Sequence, residues 1–182
     1  MIPVMSTQPP SSSSPPREQL TGIPVEFTVL SEPWVRYKLE DGTRLFVKLV
    51  VAKVIRGFDQ AGQPAYTFTS QNVMATHVPP SLKGQPSTAP FNLSDPSTFK
   101  IAASVDFDRM GPEKWNVYNL ADGSVLKTRL EISTIARLDN YGADGDPVYL
   151  TNGQPLVRFK VADSLLKQAV VARKPDTKGP YA

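Results

Sequence analysis

The chain offers a single histidine, His77, and no cysteine. Thiol nucleophiles, Cys-ligated zinc, iron–sulfur clusters and a disulfide framework are therefore excluded, as is a His-rich metal site within one chain. A catalytic histidine needs a nucleophile to activate and an acid to orient it. His77 ends a predicted strand just before Pro79-Pro80, with neither signalled beside it, and reads as a surface or interface residue. Asp139, Asp144 and Asp146 share a Gly-containing loop, where carboxylates can ligate calcium. Their spacing lacks the alternating register and distal Glu of an EF-hand loop, so they read as turn residues. Asp106 and Asp108 fall at i and i+2, on one strand face with no implied cleft. No Gly-rich phosphate loop, nucleophile elbow or H-E-x-x-H occurs. The expectation is a protein that is not an enzyme, with no cofactor and no metal.

The remaining chemistry is that of binding. Trp34 precedes Tyr37, and Trp115 precedes Tyr118. Such pairs can form a platform for a peptide or a nucleobase. They read first as core or rim residues, because large aromatics dominate burial. Arg36, Lys38, Arg44, Lys48, Lys53 and Arg56, near Phe46, make a basic strand surface that could hold an anion or a single strand. Glu26, Glu32, Glu40 and Asp41 lie among them, which favours a solvated face of mixed charge. The candidate interaction surface is Trp34, Tyr37, Arg44, Lys48, Lys53, Trp115 and Tyr118.

These residues recur because the sequence repeats. At an offset of 81, Trp34 matches Trp115, Tyr37 matches Tyr118, Leu39 matches Leu120, and Asp41-Gly42 matches Asp122-Gly123. Leu45/Leu126, Leu49/Leu130, Val51/Ile132, Val54/Ile135 and Arg56/Arg137 keep the register. After a two-residue insertion the offset is 83, pairing Gly62 with Gly145, Pro64 with Pro147, Tyr66 with Tyr149 and Val78 with Val161. Upstream, Val25-Glu26-Phe27 answers Val105-Asp106-Phe107. Segments 25–82 and 105–165 read as a tandem duplication.

Each copy carries strand signals and lacks helical periodicity. Asp-Gly between apolar runs marks a hairpin. Leu45, Val47, Leu49 and Val51 alternate with Phe46, Lys48, Val50 and Ala52, the period of a strand. Lys53 breaks the alternation, which predicts a bulge near Ala52-Lys53. About five short strands per copy predict a mostly β protein built from two small five-stranded barrels, SH3-like or OB-like. The alternative is one merged two-sheet sandwich using both copies. Asp163 is positioned to cap a short helix over 164–173.

Residues 1–24 are rich in Pro and Ser and are expected to form a disordered or extended arm. Residues 83–104 read as a Pro-rich linker with apolar pegs, and 166–182 as a short helix and basic tail. The net charge of +3 resides in that tail, which carries +3 alone, while the 105–165 copy carries −2. No apolar run approaches the roughly 20 residues needed to span a bilayer, and no signal peptide is evident. A soluble, cytoplasmic protein is expected. Its expected role is a non-catalytic protein-interaction, assembly or accessory subunit, with protein partners or a homo-oligomer. The alternative is a nucleic-acid-binding module using the basic strand of the first copy and the C-terminal tail.

Overall fold

The computed structural model describes residues 22–166. The expectations for residues 1–21 and for the helix and tail beyond 166 lie outside them. Ten antiparallel strands follow in order: β1 (Ile23–Val25), β2 (Phe27–Ser31), β3 (Val35–Leu39), β4 (Arg44–Phe58), β5 (Pro64–His77), β6 (Ile101–Ser104), β7 (Phe107–Met110), β8 (Asn116–Leu120), β9 (Val125–Tyr141) and β10 (Pro147–Lys160). The last residues assigned to the arm and to the linker thus belong to β1 and β6.

Two long strands are the spines. Along β4 the inward positions Leu45, Val47, Leu49 and Val51 are buried while their neighbours face outward. β5 pairs with the whole of β4, and β1 and β3 share its other edge. In the second sheet β10 pairs along β9, with β6 and β8 on the opposite edge. The outermost strands are exchanged. β7 joins the first sheet by pairing with β3, and β2 joins the second by pairing with β8. Glu26 and Asp106 stand at the two crossings, where their carbonyls accept from the amides of Ala121 and Glu40.

The exchange decides the cores. One cluster joins Val25, Leu49, Val51 and Val54 of the first sheet to Tyr118, Leu120 and Leu126 of the second. The other joins Tyr37, Leu39, Leu45 and Val47 to Val105, Ile135 and Tyr149. Each mixes the two segments, and matched residues fall in opposite clusters. Full burial of one leucine such as Leu39, Leu45 or Leu126 stabilises by about 2 kcal/mol. Neither segment closes on itself: the molecule is two five-stranded sheets with no closed barrel. The barrel expectation is corrected here, and the two-sheet alternative describes the described residues. Short strands beyond the spine find their partner across the molecule, so the curl that would close a barrel is not needed to bury one face.

Local signals fare well. The ladder shifts between Val51 and Lys53, placing the predicted bulge at Ala52, and shifts again opposite Ser133 in β9. All four hairpin loops share one geometry. At the Leu39, Asp59, Leu120 and Gly142 starts, the first amide donates to the fifth carbonyl and the fourth amide donates back to the first carbonyl. The fourth residue is Gly42, Gly62, Gly123 or Gly145, each at a φ between 73° and 90°. No described residue other than glycine has positive φ, so Asp41 and Asp122 sit at ordinary turn positions before the left-handed glycine. The two-residue insertion lies at the end of β9, where Tyr141 pairs with Pro147 but Arg137 already pairs with Tyr149. Residues 163–166 form one helical turn whose Leu165 amide bonds the Ala162 carbonyl. Asp163 is therefore inside the turn and not its cap.

Candidate functional site

The repeated Asp-Gly turns carry more than a hairpin. Asp122 Oδ2 accepts from Arg56 Nη1 at 3.0 Å and from Tyr66 Oη at 2.8 Å, and its Oδ1 accepts from the Ser124 amide at 2.9 Å. Asp41 Oδ2 accepts from Arg137 Nη1 at 3.0 Å and from Tyr149 Oη at 2.8 Å, and its Oδ1 accepts from the Thr43 amide at 3.0 Å. Each turn is clamped by an arginine and a tyrosine of the other segment. Burial alone would raise both carboxyls. The bonds from Thr43, Tyr149 and Arg137 outweigh it at Asp41, and those from Ser124, Tyr66 and Arg56 at Asp122, so both sit below the usual carboxylate value. Tyr149 is pushed up to about 12 by burial and by the Asp41 carboxylate it donates to. These clamps are structural: in each, an arginine Nη1 and a tyrosine Oη bond the aspartate of the partner segment.

The outward faces of the two sheets differ. In the first, Trp34, Arg36 and Lys38 alternate with the buried face of β3, and the β4–β5 ladder brings Phe46 beside Ala75 and Arg44 beside His77. The Phe46 and His77 rings lie 4.7 Å apart at a tilt of 52°. Trp34, Arg36, Phe46, Ala75 and His77 line a shallow hollow of about 310 Å³. A second, of about 330 Å³, is lined by Trp34 with Met110, Pro112 and Lys114. Trp34 is 43% exposed.

In the second sheet the matching tryptophan is covered. Arg129 and Arg158 place their guanidinium carbons 4.8 Å and 4.6 Å from the Trp115 ring centre, within cation–π range. Arg129 is held by Glu113 and by Glu131. Arg158 and its cross-strand partner Lys127 occupy the positions of Ala75 and Phe46. The rim differs as well: Glu32 ties Lys48 at 3.1 Å and accepts from Tyr118 Oη at 2.7 Å, while the buried Asn116 donates to the Leu49 carbonyl at 2.7 Å.

Comparison with protein-family models, with curated proteins and with solved structures finds no match to this chain. No helix among the described residues is long and apolar enough to cross a membrane. Among the described residues no group of three or more His, Asp or Glu is placed to hold a metal ion. Asp144 accepts from the Asp146 amide within the loop, and Asp146 pairs with Lys83.

The candidate surface divides accordingly. Tyr37 and Tyr118 are buried and belong to the two cores, so they leave the surface. Lys48 is engaged by Glu32, and Trp115 by its two arginines. Trp34, Arg44 and Lys53 face solvent, with Lys53 on the far side of the bulge from the hollow. The basic stripe is likewise split, because Arg56 is taken by Asp122. Arg36, Phe46, Ala75 and His77 complete the open site; Arg36 and Phe46 also belong to the basic strand surface read from the sequence, whereas Ala75 and His77 do not. The available signal was the contrast at matched positions: Lys127, Arg158 and Lys160 stand where Phe46, Ala75 and His77 stand.

Proposed function

We propose that this protein is a non-catalytic assembly module that binds an extended segment of a protein partner along the free edge of β5. One observation carries the reading. β5 spans fourteen residues, Pro64–His77, with no Lys, Arg, Asp or Glu, and among the described residues pairs only with β4. Edge strands left uncharged and unpaired invite a further strand, and strand addition is a common mode of peptide recognition. The matching edge of the second sheet, β10, carries Gly153, Pro155, Arg158 and Lys160, the features that blunt an edge. Of these two matching edge strands, β10 is guarded and β5 is left uncharged. The duplication supports the same reading: two copies with matched clamps give a rigid frame, on which sequence differences concentrate at one edge and one face.

Amide hydrogen exchange on the full chain, with proteins of its own source retained on it, tests this. The wild type is expected to retain a partner and to gain protection along β5. Thr69→Lys combined with Gln71→Lys, at exposed positions, is expected to abolish both while leaving the melting temperature within a few degrees. Protection that falls elsewhere, or binding that survives the two lysines, would sink the proposal.

A further inference from the structure

We propose that the Trp34 face of the first sheet is a binding site for single-stranded nucleic acid, which goes beyond the strand-addition reading and uses a different surface. Three features converge on it. First, an indole stands 43% exposed and lines two hollows. A base has a π-face whatever its identity, so an exposed ring can stack a base of a single strand without regard to sequence. Second, the Phe46–His77 pair walls one hollow, offering a further stacking surface. Third, the cations are free. Arg36, Lys38, Arg44 and Lys114 are exposed, and among the described residues none forms an ion pair, unlike Lys48, Arg56, Arg109, Arg129 and Arg137. Asp108, opposite Lys38, is the acid nearest this group in the ladder.

Aromatic faces interleaved with unpaired cations suit a polyanion with stackable bases better than a protein segment. An acidic peptide would use the cations and leave the rings idle. A duplex would use the cations too, but its bases are already stacked. The second sheet supplies an internal control. There two guanidiniums, of Arg129 and Arg158, already lie over the equivalent ring.

The decisive variant adds a positive charge. Ala75 lies where Arg158 lies in the second sheet, so Ala75→Arg places a guanidinium against Trp34 and fills the hollow. Full-length protein is titrated into fluorescein-labelled dT12 and, separately, U12, with anisotropy read from 50 to 300 mM NaCl. Binding to at least one is expected, with a log–log salt slope of about −2 to −3 for three or four phosphate contacts. Trp34→Ala is expected to weaken it about tenfold or more, and Ala75→Arg to weaken it comparably despite the added cation. Arg36→Gln with Arg44→Gln is expected to flatten the slope by about 1.4. Circular dichroism melts check that each variant folds. The proposal is overturned if neither oligonucleotide binds at 50 mM NaCl, or if Ala75→Arg tightens binding, which would mean charge alone at work. Equal affinity for a 12-base-pair duplex or for a poly-glutamate peptide would overturn it as well.

Discussion

Trp34 and Trp115 occupy the same place on two sheets of the same topology, yet one ring is open and the other is shut. The backbone does not make the difference. The cross-strand pair beside each ring does: Phe46 with Ala75 in one sheet, Lys127 with Arg158 in the other. A guanidinium over an indole occupies the face it covers, since cation and ring attract one another, and Trp115 has two such guanidiniums, from Arg129 and Arg158. The two clamps teach the opposite lesson. At Asp41 and Asp122 the Arg–Tyr bonding pattern is the same, and in each it joins the two segments. Frame and face thus differ in how closely the two segments agree.

The sharpest way to break that equivalence is to remove each clamp in turn. Asp122→Ala and Asp41→Ala should each cost about 3 kcal/mol, by leaving an arginine and a tyrosine without their shared acceptor. Urea unfolding of the full chain checks it, and costs differing more than twofold would break the equivalence. The pH dependence has a fixed sign. Both carboxyls titrate below their unfolded value, so their contribution is present above about pH 4 and is lost as pH falls through the lowered folded values. Acid unfolding of an Asp41→Asn, Asp122→Asn double variant should be correspondingly less steep. A smaller difference is expected between the core tyrosines. Tyr118→Phe deletes a bond to the Glu32 carboxylate and should cost about 1.5 kcal/mol. Tyr37→Phe deletes no bond among the described residues and should stay within about 0.5 kcal/mol. The smallest energetic effect concerns the faces themselves. Arg158→Ala should cost no more than about 1 kcal/mol. In a Trp34→Phe background it should raise acrylamide quenching of Trp115 toward the level of Trp34 in a Trp115→Phe protein.

Much of the fold was legible. Alternation along Leu45–Val51 marks β4, the break at Lys53 marks the bulge, and the Asp-Gly pairs mark turns with glycine in the left-handed region. Less of the site was. The Trp–Tyr pairs read first as core or rim residues while also being placed on the candidate surface; three residues along a strand reverse the facing, so Tyr37 and Tyr118 fill opposite cores and the tryptophans do not. The cations of the first segment looked like one stripe. Glu32 and Asp122 each remove one of them, and Asp122 comes from far along the chain. Phe46, Ala75 and His77 share a hollow only because β5 returns along β4 in the observed register.

By itself the sequence determined the β content, the turn positions, the bulge and the matching of the two segments, because each of these follows from side-chain period, glycine φ and local hydrogen bonding. It left open which sheet a strand joins. β2 and β7 are short and expose all but their first residues, Phe27 and Phe107, and a short strand bonds equally well to its own neighbour or to the matching strand of the other segment. Only the tertiary structure decided for exchange. It replaces two self-contained barrels with two shared cores, gives each Asp-Gly turn an Arg–Tyr pair from across the molecule, and leaves Trp34 open where Trp115 is closed.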